Sequence, residues 1–188
     1  MRPQLVKPKR FEDARGWFVE TYNKERLADL GIVADFCQDN HSMSREAGVL
    51  RGLHFQVPPR AQAKLVRCVR GRIWDAAVDI RAGSPTYGEW VGAELSAENG
   101  WQLFVPVGFA HGFVTLEADV EVEYKTTDFY APNHEGGILW NDADIALPWP
   151  IPPGGPVLNE RDRQLPTLAA FESPFAYDGA PLAALESA

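Results

Sequence analysis

A chain of 188 residues can bury roughly 70% of its unfolded surface without disulfides or metals, and it suits one domain spanning residues 1–188. With 45% hydrophobic and 23% charged residues it is neither disordered nor fibrous, and its net charge of -8 argues against nucleic acid or an anionic membrane as partner. No apolar run approaches the roughly 20 residues of a membrane helix, Met1–Arg10 lacks the apolar stretch of a signal peptide, and two cysteines (Cys37 and Cys68) are too few for a secreted scaffold, so a reducing cytoplasm is the expected setting.

The 16 glycines and 15 prolines are spread along the chain and punctuate many short apolar runs, the pattern of a mainly β sandwich or barrel. The first predicted element is a helix over Lys24–Leu30, capped by Asn23 and stopped by Gly31. Ala63–Arg70 and Arg72–Ile80 read as two strands of a hairpin turning at Gly71. Trp101–Val105 enters a Pro106-Val107-Gly108 turn, and the chain leaves it through His111–Leu116. Val120, Val122, Tyr124 and Thr126 alternate with Glu121, Glu123, Lys125 and Thr127, which predicts a strand with one apolar face. Asn159 can cap a short helical turn over Glu160–Arg163. From about Phe171 the chain is rich in Ala and Pro, and 172–188 is expected to wrap the surface or be partly disordered.

Two segments carry chemistry: Arg51-Gly52-Leu53-His54-Phe55-Gln56, followed by Gln62-Ala63-Lys64, and Pro106-Val107-Gly108-Phe109-Ala110-His111-Gly112-Phe113. The second resembles the Pro-x-Gly-x-x-His signature of the cupin barrel. In metal cupins the histidine of that signature joins a His-x-His pair and a glutamate. Here the pair reads His54-Phe55-Gln56, and no acidic residue stands between Gln56 and Arg70, so the set is poor for a catalytic metal. An imidazole suits removal of a carbon-bound proton, because its pKa lies near working pH. Asp75, Asp79 and Asp162 are the candidate carboxylates behind the His54 ring. Lys64 can offset charge developing on an enolate oxygen, and Tyr124 can deliver a proton from the other side. Strict alternation sets Arg51 and His54 on opposite faces, unless Gly52 marks a bulge that resets the parity. Arg15 and Arg51 suit a diphosphate, and Phe129 or Tyr130 suits stacking on a base.

Taken together these segments resemble the dTDP-4-dehydrorhamnose 3,5-epimerase family. The resemblance runs from about Phe11 to Thr167. It includes Asp13-x-Arg15-Gly16-x-Phe18, Gln38-Asp39-Asn40-His41-Ser42, Val78-Asp79-Ile80-Arg81, Tyr124 through Pro132, and Leu158 through Asp162. It implies a cupin-type jelly-roll barrel with short helices and terminal extensions, a homodimer with an exchanged N-terminal strand, and no metal or organic cofactor. The implied substrate is dTDP-4-dehydro-6-deoxy-D-glucose, inverted at C3 and C5 on the way to dTDP-L-rhamnose. By the same resemblance His54 is the base, Asp162 its carboxylate partner, Tyr124 the proton donor and Lys64 the enolate stabiliser. Arg51 and His111 would line the sugar and phosphate region. Arg15, Glu20, Gln38 and Asn40 would hold the nucleotide, with Arg15 and Glu20 from the partner subunit, and Phe129 and Tyr130 would meet its thymidine end. The alternatives are a sibling that epimerises C3 or C5 alone, a metal cupin, and a non-enzymatic sugar-binding cupin.

Overall fold

The computed structural model describes residues 1–185; the last three positions of the expected C-terminal tail lie outside the described residues. Twelve strands are described: β1 Gln4–Val6, β2 Arg10–Asp13, β3 Gly16–Val19, β4 Gln38–Ser44, β5 Leu50–Gln56, β6 Lys64–Arg70, β7 Arg72–Asp79, β8 Trp90–Ser96, β9 Gln102–Val105, β10 Phe109–Thr115, β11 Val120–Thr126 and β12 Glu135–Gly137. Two antiparallel sheets, ordered β1-β9-β6-β11-β4 and β12-β5-β10-β7-β8, face each other as a cupin-type jelly roll. The β2–β3 hairpin pairs with neither sheet, and the expected hairpin at Gly71 is instead a crossover, β6 in the first sheet and β7 in the second.

Side chains on facing strand surfaces interdigitate. Val66, Cys68, Leu103, Val120 and Val122 of the first sheet meet Ile73, Ala77, Leu95, Phe109 and Phe113 of the second. Both sheets are also covered outside. Leu65 and Phe104 pack under Leu27 of α1 (Lys24–Asp29), while Ala76, Val78, Ala110 and Val114 pack under Ile138, Ile145, Trp149 and Phe175. β10 is covered on both faces, so all seven of its residues are buried, the polar His111 and Thr115 included.

Both helix starts follow their caps. Asn23 accepts from the backbone N–H of Glu25 and Arg26 ahead of α1, and Asn159 accepts from that of Asp162 in α2 (Glu160–Arg163). The chain beyond Phe171 lies against the barrel: Phe175 meets Phe55 at 5.8 Å, and Asp178 pairs with buried Arg81 at 2.7 Å.

The β5–β10 ladder decides what the barrel interior holds. His54 stands opposite His111, but Arg51 stands opposite Phe113, so three steps on β5 match two on β10. That extra residue is a bulge, and it brings Arg51 and His54 onto the same inward face. Gly52 sits in it with φ +125°, and a Cβ there would lie 2.6 Å from Gly112 Cα and 2.7 Å from the His111 carbonyl oxygen. Only glycine allows that approach.

Candidate active site

His54, at the centre of β5, points into the barrel with about a third of its side chain exposed. Its Nε2 lies 2.7 Å from Asp162 Oδ1. Asp162 is 1% exposed, on the single turn of α2, and its Oδ2 accepts the Gly52 N–H at 3.2 Å. The Asn159 cap at 2.7 Å fixes the turn that presents the carboxylate. Burial pushes the Asp162 carboxyl up, but the His54 hydrogen bond and charge, the Gly52 N–H and Arg161 outweigh it and hold it below the usual range. Of three candidate carboxylates the structure gives Asp162 to His54.

The other two have separate partners. Asp75 Oδ1 is 2.5 Å from His111 Nε2, deep in the barrel. Burial lowers the His111 pKa; Asp75 opposes this, while the charges of Lys64 and His54 add to it. Asp79 is fully buried and bound by Arg81, Ser84 and Thr86, away from both histidines.

Lys64 begins β6 and faces the same chamber, its Nζ 3.4 Å from the His54 carbonyl oxygen. Burial pulls its pKa down to about 8, against the charges of Asp75 and Glu135. Tyr124 on β11 stands between Asn40 of β4 and Val66 of β6. Burial raises its pKa, the Arg51 charge lowers it and the Glu135 charge raises it, so the phenol remains protonated at neutral pH. Arg51 reaches Met43 and Ser44 at 3.4 Å. His54, Lys64, Arg51, Tyr124 and His111 thus converge in one chamber.

At the rim, Gln38 donates to Asn40 Oδ1 and accepts the Tyr130 N–H, both at 3.0 Å. Phe129 and Tyr130 are more than half exposed, and the Tyr130 hydroxyl donates to Glu135 Oε2 at 3.1 Å. Arg161, next to Asp162, also meets Glu135, at 2.6 Å. Sequence reasoning missed Glu135 and Arg161. Glu135 lies in Glu135-Gly136-Gly137, which has no strand pattern. Arg15 and Glu20 do not join the cluster within one chain. Arg15 is bound to Asp13 on the β2–β3 turn, and Glu20 to Arg26 and Asn23. A cavity of about 290 Å³ touches Asn40 and Tyr124, but Asp39, His41, Arg67, Glu123 and Lys125 wall it from the outer face of the first sheet, so it is a different space.

A cupin-type barrel that gathers a carboxylate-backed histidine, a buried lysine and a protonated tyrosine, with an amide where a second metal-binding histidine would stand, has the makings of a proton-transfer enzyme. Residues 3–170 match the family model for dTDP-4-dehydrorhamnose 3,5-epimerase. The chain belongs to that family, whose members are sugar epimerases of the isomerase class. It is 49% identical over 178 residues to the dTDP-4-dehydrorhamnose 3,5-epimerase of Sinorhizobium fredii, covering 93% of this chain and 89% of that one. It is also similar to a crystal structure of the Bacillus anthracis enzyme with TDP and PPi bound (49% identity, TM-score 0.85, 88% of this chain and 93% of that one). The Legionella pneumophila enzyme in complex with dTDP-4-keto-L-rhamnose superposes with TM-score 0.89 at 41% identity, over 94% of each chain.

Proposed function

We propose that the chain inverts C3 and C5 of dTDP-4-dehydro-6-deoxy-D-glucose by removing and returning protons, and that His54 is the base. The observation that carries this is the 2.7 Å contact between His54 Nε2 and the ionised, buried Asp162. The carboxylate holds the ring proton on Nε2, leaves Nδ1 free to take a carbon-bound proton, and stabilises the imidazolium that results. Both carbons flank the ketone, so each carbanion is an enolate, and Lys64 supplies the positive charge its oxygen needs. Tyr124 returns a proton from the opposite face. The route calls on no metal: the Nε2 atoms of His54 and His111 are both engaged by carboxylates, and Gln56 is an amide.

Arg51 and His111 line the sugar end in this reading, and Gln38, Asn40, Phe129 and Tyr130 the nucleotide end. We place Arg15 and Glu20 in the partner's site of a homodimer. In support, the β2–β3 hairpin pairs with no sheet of its own chain and exposes Phe11, Trp17 and Phe18. We assign the enzyme to a reducing cytoplasm because Cys37 and Cys68 are unpaired; among the described residues no helix is long and apolar enough to cross a membrane. Its acidic net charge of -8 disfavours nucleic acid as a partner.

The test is incubation with the 4-keto sugar nucleotide in deuterated water, followed by a reductase and NADPH. Label at both C3 and C5 with formation of the L-sugar is expected, and prolonged chelation should leave the rate unchanged. Label at one carbon alone moves the assignment to a single-carbon epimerase. Light scattering that shows a monomer at assay concentration ends the shared-site proposal.

A further inference from the structure

Gln56 ends β5 at the place where a metal cupin carries the second histidine of its pair, yet its side chain does something else. It is 4% exposed. Its Nε2 donates to the Arg60 carbonyl at 2.6 Å and to the Phe129 carbonyl at 3.3 Å, and its Oε1 accepts the Ala131 N–H at 2.8 Å. One buried amide therefore uses both donors and its acceptor on backbone, and two of the three bonds bracket Tyr130. Further restraints close on the same segment. Gln62 donates to the Asp128 carbonyl at 2.6 Å, Arg60 pairs with Asp128 at 2.8 Å, and Gln38 takes the Tyr130 N–H at 3.0 Å.

All this holding sustains two large aromatic side chains in water, Phe129 at 57% and Tyr130 at 56% exposure. An unrestrained loop would lose that arrangement and would have to be ordered again on binding.

We propose that Gln56 is a positioning residue for the nucleotide end, presetting Phe129–Ala131 so that the aromatic pair is in place before a nucleoside diphosphate arrives. The inference rests on the reading that Phe129 and Tyr130 hold the nucleotide. It separates two duties along one strand: His54 serves the chemistry, and Gln56, two residues on, serves affinity through preorganisation.

The test uses the full chain, dTDP as probe, and two variants. Gln56→Leu removes all three bonds. Gln56→Glu keeps the shape and the acceptor for Ala131, but sets a carboxylate oxygen against two carbonyls. Calorimetry should show dTDP affinity weakened about tenfold or more in both, while turnover at saturating substrate stays within about threefold of wild type. A merely structural glutamine would lower Tm without that split. Wild-type dTDP affinity in a folded variant, or lost turnover at unchanged affinity, overturns the proposal; so does failure of both variants to fold. A Phe129→Ala/Tyr130→Ala double variant serves as the reference. If it binds dTDP normally, the nucleotide reading falls and the clamp with it. If it binds weakly while both Gln56 variants bind normally, only the clamp falls.

Discussion

Two histidine–carboxylate pairs face each other across the β5–β10 ladder, His54 with Asp162 at 2.7 Å and His111 with Asp75 at 2.5 Å. The imidazole contacts are alike, but Asp162 Oδ2 also accepts the Gly52 N–H while Asp75 Oδ2 is buried without a partner among the described residues. They differ in surroundings: His54 keeps about a third of its side chain exposed to the chamber, whereas His111 keeps 7% and Asp75 none. His54 can therefore meet a substrate and return to solvent equilibrium between turnovers. His111 is held neutral by burial at the floor of the site, beside Lys64. A hydrogen-bonded pair becomes an acid–base device only where one member reaches the reacting atom.

The largest expected effect sets the pairs against each other directly. His54→Asn should lower turnover by roughly 10²–10⁴-fold or more with little change in Tm, because the proposed base is lost at a site open to water. His111→Ala should do the reverse. It leaves the fully buried Asp75 without its hydrogen-bond donor, a loss of about 1–3 kcal/mol in stability, with the smaller effect on turnover per folded molecule. Turnover and thermal melts on the two variants check this. If His54→Asn turns over normally and His111→Ala does not, the two pairs have been assigned the wrong way round.

Tyr124→Phe comes next and separates the two halves of inversion. His54 is untouched, so hydrogen at C3 and C5 should still exchange with deuterated solvent. Inverted product should fall well behind that exchange, because no acid stands on the opposite face. NMR follows both in one sample. The L-sugar forming at the wild-type rate would make Tyr124 a packing residue and send the search for the acid elsewhere, a bound water first.

How much of this was legible in the sequence depends on which faces of a strand meet water. The alternation of β11 is clear because Glu121, Glu123 and Lys125 project outward. β10 shows no alternation, since helices and loops cover its far side and every position is buried. β4 hides for the opposite reason: it sends Gln38, Asn40 and Ser42 inward, where an ordinary strand would be apolar. Both helices are readable from Asn caps. At the site, His54, Lys64 and Tyr124 follow from residue type and motif. Residue type alone leaves Asp162 level with Asp75 and Asp79, because 108 residues separate it from His54; the resemblance points to it, and the fold brings it into contact. The parity problem at Arg51 also needs coordinates, since a glycine permits a bulge but does not dictate one. Glu135 gives no signal at all on a short strand with two glycines.

The smallest effect, and the one that best divides chamber from floor, lies in pH. Lys64 is held at about 8 against an ordinary 10.5, chiefly by burial. Above pH 8 the native state loses that proton, and in the proposed mechanism the enolate loses its countercharge. kcat/KM should then fall, approaching tenfold per pH unit. Stability should move the other way. Between about pH 8 and 10.5 the unfolded chain still holds the lysine proton while the native state does not, so the linkage slope is positive and the fold gains as pH rises. Cys68 has the opposite linkage, because burial raises its thiol from 9.0 to about 11, and the raised pKa of Tyr124 acts the same way nearer pH 10, so the gain from Lys64 is read below about pH 9. A decline in activity between pH 8 and 9 with Tm steady or rising is therefore the signature of Lys64. Lys64→Arg keeps its charge throughout, so whatever activity it retains should lose that decline. If the arginine variant shows the same alkaline limb, the titrating group is another one, and Lys64 belongs with His111 among the residues that shape the floor.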